Sequence, residues 1–179
     1  MNLDALSHDQ YGLLFDIRRS VRYHDRRKAF YELLHHITSW MTILMAGSVL
    51  FDAAKDGKTA DWMICLSIAA ALLAAADMVL GYSRRANLHG DLRRRFADLE
   101  IAILMGGSSQ EEWHEHTRTR LIIEKDEPAI YKVLDLLCRN ELLVAEGFNR
   151  KDNPEQFANI TRYQRWTCQL YRWDAWQAA

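Results

Sequence analysis

Proline and glycine are scarce: the 179-residue chain holds two prolines and eight glycines. Long stretches therefore run without a residue that breaks a helix, and an all-α protein is expected. Cysteine is scarce as well. Cys65, Cys138 and Cys168 are odd in number and share no metal-ligand spacing, which reads as reduced thiols on helices rather than a disulfide framework. No charge of one sign dominates, with 23 Lys and Arg against 24 Asp and Glu, so the basic excess of a dedicated nucleic-acid binder is missing. The opening residues MNLDALSHDQYG lack the basic head and apolar run of a cleavable signal peptide, and the first true apolar span is expected to direct insertion itself.

Catalytic signatures are lacking too. No Walker-type loop, Gly-rich dinucleotide fingerprint or nucleophile elbow occurs. His114 and His116 stand two apart, on different sides of a helix, and Arg118 occupies the place that the zinc motif His-Glu-x-x-His gives to its second histidine. Glu111, Glu112 and Glu115 read as a solvated helix face, and His35 and His36 as interfacial side chains. No catalytic residue, metal or cofactor is expected.

What the chain does have is two apolar runs. Residues 37–51 and 62–76 are each 15 residues without Asp, Glu, Lys, Arg or His, about 22 Å of helix apiece. Extended to 37–54 and 62–82 they approach the roughly 20 residues that a spanning helix needs. Flanking charge gives an independent test. Over 18–36, Arg18, Arg19, Arg22, Arg26, Arg27 and Lys28 face two acids, and over 83–95, Arg84, Arg85, Arg93, Arg94 and Arg95 face one. The connector 52–61, DAAKDGKTAD, carries two Lys and three Asp. This bias puts both termini in the cytoplasm by the positive-inside rule. Trp40 and Tyr82 near the inner ends and Trp62 at the outer end suit interfacial aromatics. A soluble helical hairpin with polar ends is the competing reading.

The chain then divides into a cytosolic basic N-terminal helix (1–36), a transmembrane helical hairpin (37–83, outer loop 55–61), a cytosolic helical region (84–148) and a C-terminal aromatic and basic helix (149–179). The helical extensions are expected to form a bundle. Ser7 with Gln10 matches a capping box. Leu88, Leu92, Phe96, Leu99 and Ile103 form one apolar stripe, which Gly106 and Gly107 end, and Ser108 or Ser109 with Glu111 or Glu112 starts a further helix. Pro128 and Gly147 frame a helix carrying Ile130, Val133, Leu134, Leu137 and Leu142. In the last helix Tyr163, Trp166, Leu170 and Trp173 share a face beside Arg162, Arg165 and Arg172. That helix is expected to pack on the bundle, with the lipid interface and a partner as its other settings.

Asp77 lies at hydrophobic depth, where an ionised carboxylate needs a partner or a wet lumen. An antiparallel hairpin brings it near the small and polar stripe Ser39, Thr42 and Ala46, so a hydrogen bond to Thr42 is expected. The functional reading makes Asp77, Thr42 and Ser39 intramembrane polar groups of a pore; the structural one is a polar contact within the hairpin. Ala70 with Ala74 and Ala71 with Ala75 repeat small residues at i, i+4, a spacing that lets helices approach closely in a bilayer. A hairpin encloses no channel alone, so a pore requires several copies. The basic residues Arg26, Arg27, Arg84, Arg85, Arg93, Arg94 and Arg95 are assigned to anionic lipid headgroups.

A basic helix containing Arg22-Tyr23-His24-Asp25-Arg26-Arg27 and Phe30, an apolar hairpin, then His89 followed by Leu92 and the stretch from Phe96 to Leu99, resembles the SLATT domains of bacteria over roughly residues 18–148. The resemblance implies a small oligomeric inner-membrane protein that forms pores or disrupts membranes in antiphage or inter-element conflict, under the control of a partner. It makes Tyr23, His24, Arg27 and His89 structural or regulatory positions around the membrane mouth and supplies no catalytic residues. The chain shows no fused sensor or nucleotide-synthesising domain, so a separately encoded regulatory protein is the expected trigger. The alternatives are a non-conducting membrane-anchored scaffold that recruits a protein partner, and a soluble helical bundle.

Overall fold

The computed structural model describes residues 6–56, 61–106 and 109–173. Most of the expected outer loop, the helix signals at Gly107 and Ser108, and the C-terminal residues 174–179 lie outside the described residues. Among the described residues all regular structure is helical: α1 (His8–Asp56), α2 (Asp61–Leu80), α3 (Tyr82–Met105), α4 (Gln110–Glu124), α5 (Lys132–Ala145) and α6 (Arg162–Thr167), with a 3₁₀ turn at Pro154–Gln156. The chain divides into two compact units, one formed by Met1–Arg27 with His89–Ala179 and the other by Lys28–Leu88. The expected boundaries at 36/37 and 83/84 both fall inside the second unit. No breaker marks them, because α1 runs unbroken for 49 residues.

In the first unit the apolar stripe of α3 is the core, as its spacing predicts. Leu92, Phe96, Leu99 and Ile103 pack with Leu13, Leu14 and Ile17 of α1 and with Trp113 and Ile123 of α4. Complete burial of such side chains is worth about 1.5–3 kcal/mol each. Leu88, placed on the same stripe by spacing, belongs to the other unit and is 41% exposed. A second cluster gathers Tyr23, Val133, Leu134, Leu137, Cys138 and Cys168.

The helix ends follow local chemistry. The Ser7 hydroxyl accepts from the Gln10 amide while the Gln10 side chain accepts from the Ser7 amide, and Ser109 with Glu112 closes the capping box of α4. After α5 the chain turns at Gly147, whose φ of 92° favours glycine; the amides of Phe148 and Gly147 donate to the carbonyls of Leu143 and Val144 in a Schellman pattern. Among the described residues the C-terminal region is an α-helix only over Arg162–Thr167. Beyond it the Gln169 carbonyl accepts from Arg27 rather than continuing a helical ladder, and Trp173 packs against the second core cluster.

The second unit is a helical hairpin. Along α1 its less exposed positions include Tyr31, His35, Thr38, Thr42, Met45 and Val49, alternating steps of four and three, with Glu32, Leu34 and Ser39 beside them; along α2 they include Met63, Leu66, Ala70, Leu73 and Asp77, with the same steps. That 3.5-residue recurrence is the seam of a left-handed helix pair. Almost everything else on the hairpin is exposed, including Leu44 (63%), Phe51 (75%), Leu72 (66%) and Val79 (78%). Gly81, with φ of 60°, separates α2 from α3; a Cβ there would meet the left-handed penalty of about 1–2 kcal/mol.

Candidate functional site

Two polar constellations stand out, one in each unit. In the first unit, α1 turns Tyr23, His24 and Arg27 inward at steps of one and three, while α3 contributes His89 three residues before Leu92. All four side chains are buried: His24 is 1%, Arg27 2%, His89 3% and Tyr23 4% exposed. The His24 ring stacks on Phe96 at 5.6 Å with 14° between planes. Its Nε2 lies 3.0 Å from Glu127 Oε1 and its Nδ1 lies 2.9 Å from Nδ1 of His89.

A carboxylate oxygen accepts, so the His24 Nε2–H donates to Glu127, and one of the two facing Nδ1 atoms donates to the other.

Beside it, Arg27 Nη1 donates to the Gln169 backbone carbonyl at 2.8 Å and to Gln169 Oε1 at 3.0 Å, and the guanidinium sits 4.1 Å from the centre of the Tyr131 ring. The Tyr23 hydroxyl accepts from the Tyr131 amide at 3.0 Å. A buried charge is tolerated only when paired and hydrogen-bonded, and the segment 167–171 supplies that partner. The cluster therefore ties α1 to α3, to the 127–131 loop and to the C-terminal segment. A cavity of about 310 Å³ lined by Arg19, Ser20, Tyr23, Glu124, Glu127, Ile130 and Asp135 opens beside Glu127. Burial raises the Asp135 carboxyl against the pull of Arg19, 3.1 Å away.

Burial also pushes the Tyr23 phenol up to about 12, although the Tyr131 amide and Arg27 favour the phenolate. The Cys138 thiol, buried in the same cluster, is pushed up to about 12 from the usual 9 by burial, against a weaker pull from Arg26. Both groups stay protonated in the fold after the unfolded chain has begun to ionise. Their contribution is complete below about pH 9 and is lost as pH rises towards 12, at about 1.4 kcal/mol per pH unit and group. The first unit of the full chain in detergent should accordingly show a constant urea midpoint between pH 7 and 9 and a falling one above. Cys138→Ala should flatten part of that fall, and an unchanged profile would contradict this burial.

In the second unit Asp77 does not meet Thr42. Its Oδ2 lies 2.9 Å from His35 Nδ1, and its Oδ1 is buried without a hydrogen-bond partner. The reason is register: Tyr31 contacts Arg85, with Arg85 Nη1 3.5 Å from the Tyr31 hydroxyl, and a hairpin so aligned carries Asp77 to His35, two helical turns below Thr42. Thr42 lies on the seam and Ser39 beside it, both partly buried, whereas Ala46 is exposed. Of the small residues, Ala70 is on the seam and buried, while Ala71, Ala74 and Ala75 face outward.

The lipid-facing assignment needs correction at Arg27, which the Gln169 and Tyr131 contacts hold inside the fold. Arg26, Arg93 and Arg95 pair with Glu141 at 2.7 Å, Asp25 at 3.2 Å and Asp126 at 2.7 Å. Arg84, Arg85 and Arg94 are exposed, as are Trp40 (65%) and Trp62 (53%), and Tyr82 is half-buried. Sequence reasoning missed Glu127, Tyr131, Gln169 and the role of His35. Only His35 carried a legible signal, as a histidine at the inner edge of the first apolar run, with one acid, Asp77, in the extension of the second.

The fold and these constellations define a helical protein with two helices long and apolar enough to cross a membrane. No protein-family model, curated protein or solved structure matches the chain.

Proposed function

We propose that the protein is a two-span inner-membrane protein with both termini in the cytoplasm, which assembles from several copies into a membrane-permeabilising effector. The observation that carries this reading is the hairpin's exposed apolar surface. None of the most apolar window of α1 is buried, and 11% of that in α2–α3 is; such a surface in water would be an aggregation liability, and a bilayer covers it. A soluble bundle would need these faces inside its core. The basic flanks support the orientation, and the SLATT resemblance supports the effector role in antiphage or inter-element conflict.

Assembly finds support in Ala71, Ala74 and Ala75, which face away from the hairpin's own seam and offer close approach to another copy. The His35–Asp77 pair is the ionisable step in a hairpin whose other seam residues are apolar or hydroxyl-bearing, and opening exchanges that contact for water. A non-conducting scaffold is the second reading, favoured by Asp77 being tied to His35 inside the hairpin. Dye release from vesicles holding the purified full chain separates the two. The effector releases dye, and Ala71→Leu with Ala75→Leu reduces oligomer size, and release by about ten-fold, while insertion persists. Intact vesicles with the wild-type chain, at a density that gives oligomers, would overturn the effector reading.

A further inference from the structure

The segment that anchors Arg27 also presents a surface left largely exposed among the described residues, with Trp173 meeting the Tyr163 and Tyr171 rings edge-on. Gln164 and Cys168, four residues apart, face the interior. On the opposite side Tyr163 is 69%, Trp166 88%, Leu170 71% and Tyr171 60% exposed. The chain stays compact past α6, with the amides of Leu170 and Tyr171 donating to the Thr167 carbonyl at 3.0 and 2.8 Å, so Leu170 continues the outward face. Contiguous apolar side chains of this size at a surface mark an interaction site.

We propose that the segment 162–171, centred on Trp166, lies on the surface of an anionic phospholipid bilayer. Charge selects this occupant. Residues 161–173 contain Arg162, Arg165 and Arg172 and no carboxylate. Arg162 and Arg165 are exposed and form no ion pair among the described residues. Indole and phenol rings flanked by guanidinium groups match the headgroup layer, where amphipathic rings settle and arginine meets phosphate. The inference rests on the membrane reading above and adds a second, peripheral attachment that is sensitive to lipid charge.

The test uses the full chain in nanodiscs of phosphatidylcholine with or without phosphatidylglycerol, containing lipids with a nitroxide near the headgroup or deep in the acyl chain. Cys65, the exposed thiol, is changed to serine, and Leu170→Cys carries an environment-sensitive fluorophore; Leu170 is exposed, so the core is untouched. A parallel Leu44→Cys label reports insertion of the hairpin. The expected result is quenching of the 170 label by shallow nitroxides in anionic discs and less in neutral ones. Arg162→Gln with Arg165→Gln should lower the ratio of lipid-bound to lipid-free segment roughly 25-fold, about five-fold per arginine. A 170 label that stays unquenched while the 44 label is quenched overturns this inference and leaves the membrane reading standing. That holds whether its emission is water-like or blue-shifted by a second copy or another protein. If the 44 label is also unquenched by deep nitroxides, the membrane reading falls and this one with it.

Discussion

His24→Ala is expected to destabilise the first unit by about 3–5 kcal/mol, the cost of leaving buried polar groups unpaired and a ring-sized void. His24 is 1% exposed and links Glu127 at 3.0 Å to His89 at 2.9 Å while stacking on Phe96. The substitution strips one partner from a carboxylate whose side chain is 9% exposed and one from a histidine, and it opens space against Phe96. Glu127→Gln keeps an oxygen that accepts from His24 Nε2, so its loss should be near the 1 kcal/mol of a single hydrogen bond. Urea unfolding of the full chain in detergent, followed by helical circular dichroism, measures both. Equal effects from the two variants would contradict the chain of contacts.

Asp77→Leu is expected to reduce dye release at least ten-fold while leaving the protein inserted. In the permeabilising assembly proposed above it deletes the acid at the seam and so removes the ionisable step for water to follow, and membrane insertion becomes more favourable because a carboxylate at depth is replaced by an apolar group. His35→Leu should act in the same direction. Exchanging the two, His35→Asp with Asp77→His, restores the contact in reverse and should recover release, with a coupling energy that a double-mutant cycle reads directly. Wild-type release from both single variants would remove the pair from the permeation path.

Much of the fold was legible because it depends on periodicity. The stripe Leu92, Phe96, Leu99 and Ile103 and the capping pair Ser7 with Gln10 are local patterns, and each appears where spacing put it. The two apolar helices follow from composition. Register was not legible. Matching Asp77 to Thr42 required the exact alignment of two helices across a loop, and a shift of two turns moved the partner to His35. The buried cluster was half legible: the resemblance singled out Tyr23, His24, Arg27 and His89, but their partners Glu127, Tyr131 and Gln169 come from a loop and a turn with no periodic signal. Arg27 misled for a physical reason, since a basic residue in a basic run carries no mark of burial. The C-terminal face misled in the opposite sense, because amphipathic spacing alone does not distinguish packing from exposure.

Alkaline carbonate extraction of membranes from cells expressing the full chain tests the central claim most directly, since it removes peripheral proteins and retains spanning ones. A chain that spans the bilayer stays in the pellet and is then released by a mild detergent as a folded helical species. Release of a folded species into the carbonate supernatant would contradict the bilayer-spanning hairpin and, with it, the permeabilising assembly.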